Sequence, residues 1–317
     1  MNKRVYGILG IVSIMSNWNA DFTGYPKSTS MGEVFGSDKA LKYPIKKMWN
    51  DKGEKVLYIK SMRLSPDKKG EVNLVPRSLK ERYEMLFNEE DLKKNKDCKV
   101  VISNLFKATD IKNFGATFAE EGNNISITGA VQIGQGFNKY KGSNSEEQQI
   151  LSPFRDGKDK KNKKGEEEEA KNSTLGTKIV SDEAHYFYPF SINSQCYDEF
   201  VTMGLTDGYT DSDYENFKET SIVAATSYAT NAKVGCENEF ALFIETEKNL
   251  YLPDLSRYIV FEKGEDKNKI SLTCGDLLNK VADRILSVEI YYNPYTTNID
   301  TNINNLKSFN IFTKDEV

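Results

Sequence analysis

The sequence lacks the cysteine pattern of a metal site or of a disulfide framework. It has four cysteines, and the shortest interval between neighbours, from Cys236 to Cys274, is 38 residues. Structural zinc sites usually take their thiolates from C-x-x-C pairs, so this spacing argues against zinc and predicts no bound metal. Without a disulfide framework, the cysteines predict a reducing, cytoplasmic setting.

Histidine is scarce, and positive charge is not in excess. His185 is the single histidine, and it stands among aromatic residues in a predicted strand, away from any nucleophile motif. A Ser/His/Asp triad would have to use it, so we interpret it as structural. The net charge of −4 excludes a uniformly basic nucleic-acid binder. Phosphate binding must therefore come from local clusters of lysine and arginine.

Long apolar runs are also missing, because nowhere do 18 apolar residues follow one another. No segment is therefore predicted to span a membrane. The apolar stretch from Val5 to Met15 follows Lys3 and Arg4, as in a signal peptide, but no A-x-A cleavage site comes after it. Its β-branched residues favour a central strand that is buried on both faces.

The chain does have the composition of a globular protein, with 38% hydrophobic and 28% charged residues over 317 positions. We predict one elaborated domain over residues 1–317. Helices are expected at 38–49 (capped by Ser37 and kinked or split at Pro44), 79–95, 211–233 and 273–286. Strands are expected at 5–15, 55–63, 125–133, 185–193, 240–245, 258–262 and 288–292. This order fits an α+β fold with a ferredoxin-like βαββαβ core.

Residues 140–182 differ from the rest of the chain. Five lysines fall between Lys158 and Lys164, and the next stretch, 166–169, is four consecutive glutamates. Apolar residues are too few to bury a core, so we predict a long, mobile excursion from the globular body.

One cluster of lysines suggests contact with a phosphate backbone. Lys39, Lys42, Lys46 and Lys47 fall in the first predicted helix, and spacings of three, four and one place most of them on one face. Such a face can follow a sugar–phosphate backbone. An ordinary solvated helix face has the same pattern.

Three other motifs are weak. The glycine-rich stretch 129–136 lacks the Lys-Ser or Lys-Thr of a P-loop and the third glycine of a dinucleotide fingerprint, so no nucleotide cofactor is predicted. The acidic stretch 207–215 lacks the ligand order of an EF-hand loop. Asp21 or Asp38 could assist a ribose 2′-hydroxyl in attacking its phosphate, although loop polarity explains both equally well.

Five segments, taken in order, resemble one family. They are a polar loop at 19–24, a helix with a Leu-Lys pair at 34–47, an "FGA … GPVQ"-like pair at 110–116 and 127–136, and the return of a long hairpin at 175–178 and 186–193. This pattern resembles the Cas-seven group of the RAMP superfamily, in the form found in subtype I-B Cascade. The resemblance runs from about residue 4 to 292. Ala130 stands where the family usually has proline, and the tract 158–169 is an addition.

The resemblance implies an RRM-like palm with inserted fingers and a thumb hairpin, for which residues 140–182 are the candidate. Copies of the subunit would stack along one CRISPR guide RNA, together with other Cascade subunits, and target DNA would pair with the exposed guide. The aromatic motif of a typical RRM is absent, so base stacking on the sheet is not expected.

The site residues follow from the lysine cluster and the resemblance together. No catalytic residue is predicted. Two other functions stay open: a RAMP-type endoribonuclease that uses Asp21, and a protein scaffold that binds no RNA. The residues expected to contact RNA are Lys39, Lys42, Lys46, Lys47, Asn17, Asn19, Phe114, Gly115 and Gln132.

Overall fold

The computed structural model describes residues 1–95, 97–151 and 175–317. The α-helices are α1 (Asp38–Asp51), α2 (Leu79–Phe87), α3 (Cys98–Leu105), α4 (Thr109–Phe114), α5 (Asp198–Thr202), α6 (Asp211–Ser221), α7 (Ala224–Ser227) and α8 (Gly275–Asn279). The strands are β1 (Arg4–Ser16), β2 (Phe35–Gly36), β3 (Met62–Pro66), β4 (Val72–Pro76), β5 (Gly115–Phe118), β6 (Ile125–Thr128), β7 (Val131–Ile133), β8 (Gly136–Asn138), β9 (Ser145–Leu151), β10 (Leu175–Asn193), β11 (Cys236–Thr246), β12 (Ile259–Glu262), β13 (Asn268–Leu272), β14 (Ile285–Tyr292), β15 (Thr297–Thr301) and β16 (Leu306–Asn310).

The apolar N-terminal stretch forms β1, the central strand of the largest sheet. The strand order of that sheet is β16-β14-β11-β1-β10-β8-β2, and β7 and β9 also pair with β10. Neighbours on both sides cover the edges of β1, and Val5, Ile8 and Leu9 are fully buried. The predicted strand, buried on both faces, is confirmed.

The connections reproduce the predicted core. β1 leads through α1 to the edge strands β7 and β8, and β10 leads through α6 to β11. In space the order is β11-β1-β10-β8, and β1 runs antiparallel to both β10 and β11. This is the arrangement that a βαββαβ chain adopts when each helix crosses over one antiparallel strand. The α+β class is therefore confirmed.

The two faces of the sheet have separate hydrophobic cores, because side chains alternate along each strand. On one face α1, α4, α6 and α7 pack against residues such as Leu9, Tyr188 and Phe243. On the other face β12, β13 and β15 form a small sheet that covers residues such as Ile8 and Phe240. The order of this small sheet is β12-β13-β15.

The strand predicted at 55–63 is wrong, because strand structure begins only at Met62. The backbone N–H groups of Leu57 and Tyr58 donate to the Asp110 carboxylate, each at 2.8 Å. The Val56 carbonyl accepts from Arg82. These side chains satisfy the polar backbone groups that a neighbouring strand would otherwise bind.

Several predicted boundaries are also wrong. The helix predicted at 79–95 ends at Phe87, because Asn88 adopts a left-handed φ of 55°. The strand predicted at 125–133 is two strands, β6 and β7, interrupted at Gly129 and Ala130. The helix predicted at 211–233 starts after a Thr210 cap and ends at Ser221. The helix predicted at 273–286 is confined to α8, and its last residues belong to β14.

Pro44 does not split α1, which runs without interruption from Asp38 to Asp51. The proline is buried on the apolar side of the helix. It removes one backbone donor, but the helix keeps its packing against the sheet, which outweighs that loss.

The ends of the predicted excursion 140–182 form a hairpin. β9 pairs with the first part of β10 in antiparallel register, from Ser145 opposite Ser181 to Leu151 opposite Leu175. The start of β10 therefore lies ten residues before the strand predicted at His185. The lysine/glutamate tract at 158–169 lies outside the described residues. Among the helices that the structure describes, none is long and apolar enough to cross a membrane.

Candidate nucleic-acid interface

Helix α1 carries the predicted lysines, and its sequence sets its orientation. The Ser37 hydroxyl accepts from the Ala40 N–H and caps the first turn. Leu41, Ile45 and Trp49 recur every four residues and are fully buried against the sheet. Because these three fix the inner face, the lysines fall on the sides and outer face of the helix.

The four lysines do not share one environment. Lys39 is exposed. The Lys42 ammonium lies 2.8 Å from Asp38 Oδ2 and 5.3 Å from the centre of the Phe114 ring. Lys46 is half-buried on the same stripe, whereas Lys47 lies roughly a quarter turn away and pairs with Asp51. Lys39, Lys42 and Lys46 are called the lysine stripe below.

Lys46 faces a buried carboxylate. Asp110 is 2% exposed and its two oxygens accept from Leu57 and Tyr58 backbone N–H groups. Burial lowers the pKa of Lys46 and raises the pKa of Asp110, and their mutual attraction opposes both shifts. The nearby carboxylate therefore favours the charged form of the Lys46 ammonium.

Phe114 and Gly115 lie at the end of α4, beside the lysine stripe. The Phe114 ring centre is 5.6 Å from that of Trp49, so the buried side of α1 positions it. Gly115 has a φ of +77°, and a Cβ there would meet the Ile127 carbonyl and the Gly129 backbone. Glycine is needed at this position because the two backbones approach so closely.

Gln132 lies on the other face of the sheet. Val131 and Ile133 point into the helix-side core, so the alternation of β7 turns Gln132 away from it. Its Nε2 donates to the Gly129 carbonyl at 2.8 Å. With Tyr6, Ser191 and Leu255 it lines a cavity of about 360 Å³. The structure therefore does not bring Gln132 to the lysine stripe.

Asn17 and Asn19 brace the polar loop that precedes α1. Asn17 is 5% exposed, and its Nδ2 donates to the carbonyls of Gly24 and Ile179. Asn19 Oδ1 accepts from the Ser37 N–H at 2.8 Å and so ties the loop to the helix cap. Both side chains hold the shape of the loop, and Asn17 offers almost no surface to a ligand.

Two residues with notable environments were not predicted as site residues. Lys112 on α4 pairs with Asp207 at 3.0 Å and with Asp213 at 2.9 Å, which fixes α4 against α6. These partners lie about a hundred residues away in sequence, so no local signal reveals them. Phe22 is fully exposed at the tip of the loop, and the signal for it was an aromatic residue within a polar loop.

The two residues that a ribonuclease would need have structural roles in this fold. Asp21 Oδ1 accepts from the Thr23 hydroxyl, the Thr23 N–H and the Tyr25 N–H. The bonds from Thr23 lower the pKa of Asp21. His185 is fully buried, with Nδ1 2.8 Å from Glu239 and Nε2 2.9 Å from Glu183.

The described residues contain no cluster of three or more side chains that could hold a metal ion. The groups that meet beside the stripe are ammonium groups, the Phe114 ring and the backbone around Gly115. This combination suits a single-stranded nucleic acid held by its phosphates.

Comparison with known proteins first places the chain among CRISPR-associated proteins. Residues 3–277 match the family of CRISPR-associated protein Cas7, and the chain belongs to that family. The predicted family and the predicted role as a backbone subunit of a CRISPR surveillance complex are thereby confirmed. No curated protein matches the chain.

Two solved structures are similar at low identity. One is described as a CRISPR RNA-guided surveillance complex, pre-nicking, with 13% identity, coverage of 95% of this chain and 96% of that one, and a TM-score of 0.47. The other is described as a CRISPR RNA-guided surveillance complex, with 14% identity, coverage of 90% and 88%, and a TM-score of 0.42.

Proposed function

We propose that this Cas7-family chain holds the guide RNA of a subtype I-B Cascade complex through the lysine stripe of α1, and that it does not cleave the RNA. The observation that carries the proposal is the stripe itself. Lys39, Lys42 and Lys46 lie along one side of a helix whose buried face is anchored in the core. Three ammonium groups at spacings of three and four residues form a row that a phosphate backbone can follow.

The ammonium groups of the stripe retain capacity for phosphate. A lysine has three donors, and Lys42 uses one of them on Asp38. Lys39 has no ion pair with any residue that the structure describes. A phosphate close to Lys46 would offset the burial that lowers the pKa of this ammonium, because it adds a second negative charge beside Asp110.

The remaining predicted contacts take different parts in this proposal. Phe114 and Gly115 form the wall of the groove beside Lys42, and Asn19 positions the loop at its entrance. Lys47 is a peripheral contact. Asn17 and Gln132 act through the backbone that they hold.

The wider assembly follows from binding by phosphates alone. Such contacts carry no sequence information, so one subunit can be repeated along any guide, and the base edges stay free to pair with target DNA. The hairpin of β9 and β10, with residues 140–182, is the proposed thumb that reaches a neighbouring copy. The partners are the guide RNA, copies of the chain, other Cascade subunits and, through the guide, target DNA.

The proposal that the chain does not cleave RNA is supported by the internal hydrogen bonds of Asp21 and His185. One oxygen of Asp21 is used by its own turn, and both ring nitrogens of His185 face carboxylates inside the protein. These internal bonds support structural roles for both side chains. A guide RNA that is cut by the wild-type chain, and left intact by Asp21→Ala, would overturn this part of the proposal.

The stripe is tested with a triple variant, Lys39→Gln/Lys42→Gln/Lys46→Met. Neutral residues are chosen because a carboxylate at 46 would face buried Asp110. We expect at least a tenfold loss of affinity for single-stranded RNA. The slope of log affinity against log salt should fall by about 2, because each phosphate contact on a single strand contributes about 0.7.

The matched control is Lys99→Gln/Lys248→Gln/Lys280→Gln, which removes the same charge from exposed positions on other surfaces. It should keep most of the wild-type affinity and slope. Thermal unfolding of both variants establishes that the fold is intact. Equal affinity and slope for the stripe variant and the wild type would contradict the assignment.

A further inference from the structure

A row of polar side chains runs from β11, across the start of the β9–β10 hairpin, to the small sheet. His185 Nδ1 lies 2.8 Å from Glu239 Oε2, and His185 Nε2 lies 2.9 Å from Glu183 Oε1. The Lys263 ammonium lies 2.6 Å from the same Glu183 oxygen. The row therefore connects three separate elements: β11, β10 and the segment that follows β12.

The row lies at the point where β10 leaves the central sheet and enters the hairpin with β9. Ile14, near the end of β1, is opposite Glu183. Residues 175–180 of β10 pair with β9 alone among the described strands. Residues 181–185 are called the hairpin root below. Contacts at the root therefore govern how firmly the hairpin is held against the rest of the chain.

Two carboxylates compete for the protons of one imidazole ring. A charged imidazole has two N–H groups, one for Glu239 and one for Glu183, whereas a neutral ring has only one. Glu239 is 7% exposed, and among the described residues its side chain bonds only to His185. An unpaired carboxylate at this depth is costly, so a neutral ring keeps its bond to Glu239 and gives up its bond to Glu183.

The charges around the imidazole balance only when it is protonated. Glu239 faces it from β11, Glu183 faces it from its own strand, and Lys263 faces Glu183. A neutral ring leaves this row with one negative charge in excess. Burial opposes protonation, but the two carboxylates outweigh it and hold the pKa of His185 above its ordinary value. The distances therefore fit a protonated ring that donates from both nitrogens.

Uncharged side chains enclose the rest of the ring. Val12 of β1 lies opposite His185 in register. The Phe261 ring of β12 stacks on the imidazole with centres 3.8 Å apart, and the phenol ring of Tyr140, after β8, meets it edge-on at 6.0 Å. Because these neighbours hold the ring in place, a change in its proton number alters its hydrogen bonds rather than its position.

We propose that the proton on His185 closes a pH-dependent contact between the hairpin root and the small sheet. With the proton present, Glu183 is held between His185 and Lys263, and the segment after β12 is fixed to the root. Without it, Glu183 turns towards solvent with Lys263, and an exposed ion pair of this kind contributes little. The root is then held less firmly, and its backbone amides open more often. This contact acts within one chain and does not require RNA.

Amide hydrogen exchange of the chain without RNA tests this contact. Protection factors, which remove the intrinsic effect of pH on exchange, are compared at about pH 6 and about pH 9, on either side of the titration. Protection at 181–185 and 261–264 should fall with rising pH by roughly threefold or more beyond any fall at 240–244 in the central sheet. The comparison with 240–244 separates local opening from a change in global stability.

The titration of His185 itself is measured in the same samples. It is the only histidine of the chain, so its imidazole C–H signal in a nuclear magnetic resonance spectrum is identified without assignment variants. The excess fall in protection at the root should have the same midpoint as this titration.

Two variants and a control separate the proton from the packing. His185→Gln carries no charge at any pH, so the root should have low protection at both pH values. Glu183→Gln supplies an amide that donates to Nε2 or accepts from it, so the excess fall should disappear while the root stays protected. Glu237→Gln is the matched control, because Glu237 is exposed on β11 two residues before Glu239, and it should follow the wild type.

Equal protection of the root at the two pH values in the wild type would overturn the inference. The same holds for an excess fall that Glu183→Gln or His185→Gln retains, or one whose midpoint differs from that of the imidazole. Glu183→Gln keeps the imidazole and decides the question if His185→Gln does not fold. Because no RNA is present, each outcome leaves the proposed function as it stands.

Discussion

The two faces of the central sheet are covered in different ways. One face carries α1, α4 and α6, and the lysine stripe lies at the side of that helical layer. The other face carries the small sheet of β12, β13 and β15, which buries Phe187 and Phe240. In a typical RRM, single-stranded RNA lies on the sheet face opposite the helices and stacks on its aromatic residues.

This difference supports the proposal that RNA contacts the helix side of this chain. The aromatic residues of the covered face cannot meet a base, because they form a second core with the small sheet. The polar groups there are paired internally: His185 lies between Glu239 and Glu183, and Glu183 also pairs with Lys263. The proposed RNA contacts therefore lie on the helix side, and the covered face contributes stability. The predictions below test that division.

The largest effect is expected from two core substitutions, one on each face. Trp49→Ala removes a fully buried ring that packs against Phe114, and it should cost about 3–5 kcal/mol of unfolding free energy. It should also weaken RNA binding, because Phe114 loses its support. Phe261→Ala, on the covered face, should destabilise the fold and leave RNA affinity unchanged. Denaturant titration measures the unfolding free energy of each variant, and an RNA titration measures its affinity. An equal loss of RNA affinity in the two variants would contradict the assignment of RNA binding to the helix side.

The next largest effect concerns the close approach at Gly115. Gly115→Ala combines a left-handed backbone with a clash against the Ile127 carbonyl and Gly129. Gly122 also has a positive φ, of +84°, but no atom lies near its missing Cβ. Gly115→Ala should therefore cost about 1–3 kcal/mol more than Gly122→Ala. Similar midpoints of urea unfolding for the two variants would show that the backbones at Gly115 and Gly129 can move apart without a loss of stability.

A smaller effect is expected from pH, through His185. Burial alone would lower the pKa of this histidine, but Glu239 and Glu183 outweigh it and hold the pKa above 6.5. Protonated His185 stabilises the fold fully below its unfolded pKa of about 6.5. This stabilisation is lost as pH rises through the higher pKa of His185 in the folded protein. His185→Gln should flatten this part of the stability–pH curve and leave RNA affinity unchanged. If the stability of the wild type rises with pH over that window, a charged His185 beside Glu239 and Glu183 is contradicted.

The smallest effect is expected at Lys47, away from the stripe. Lys47→Gln breaks only the exposed pair with Asp51. It should change the salt slope of RNA binding by less than Lys39→Gln does, because Lys47 lies around the helix from the proposed groove. Single-variant titrations at several salt concentrations measure the difference. Equal slope changes would show that Lys47 contacts the phosphates as fully as Lys39 does.

The parts that local sequence determines were predictable. Ser37 caps α1 as expected, and the four-residue recurrence of Leu41, Ile45 and Trp49 set its buried face. The apolar run from Val5 predicted the central strand because burial on both faces requires it. The order of these elements was sufficient for the βαββαβ core.

The parts that depend on distant partners were not predictable. Residues 55–61 form no strand because Asp110, more than fifty residues later, binds their backbone. Gln132 was predicted beside the lysines, but the alternation of β7 turns it to the other face of the sheet. Burial of Lys46 close to Asp110 has no local sequence signal either, because Asp110 follows 64 residues later. The role of Lys112 could not be predicted, because only the fold brings Asp207 and Asp213 close to it.

The most direct test of the account is the light-scattering mass of the chain on single-stranded CRISPR RNAs of two lengths, with RNA integrity checked afterwards. The account predicts that mass rises in steps of one chain as the RNA lengthens, that the RNA stays intact, and that the lysine-stripe variant needs at least a tenfold higher concentration to reach the same mass. A mass that does not change with RNA length, or RNA that is cut, would contradict it.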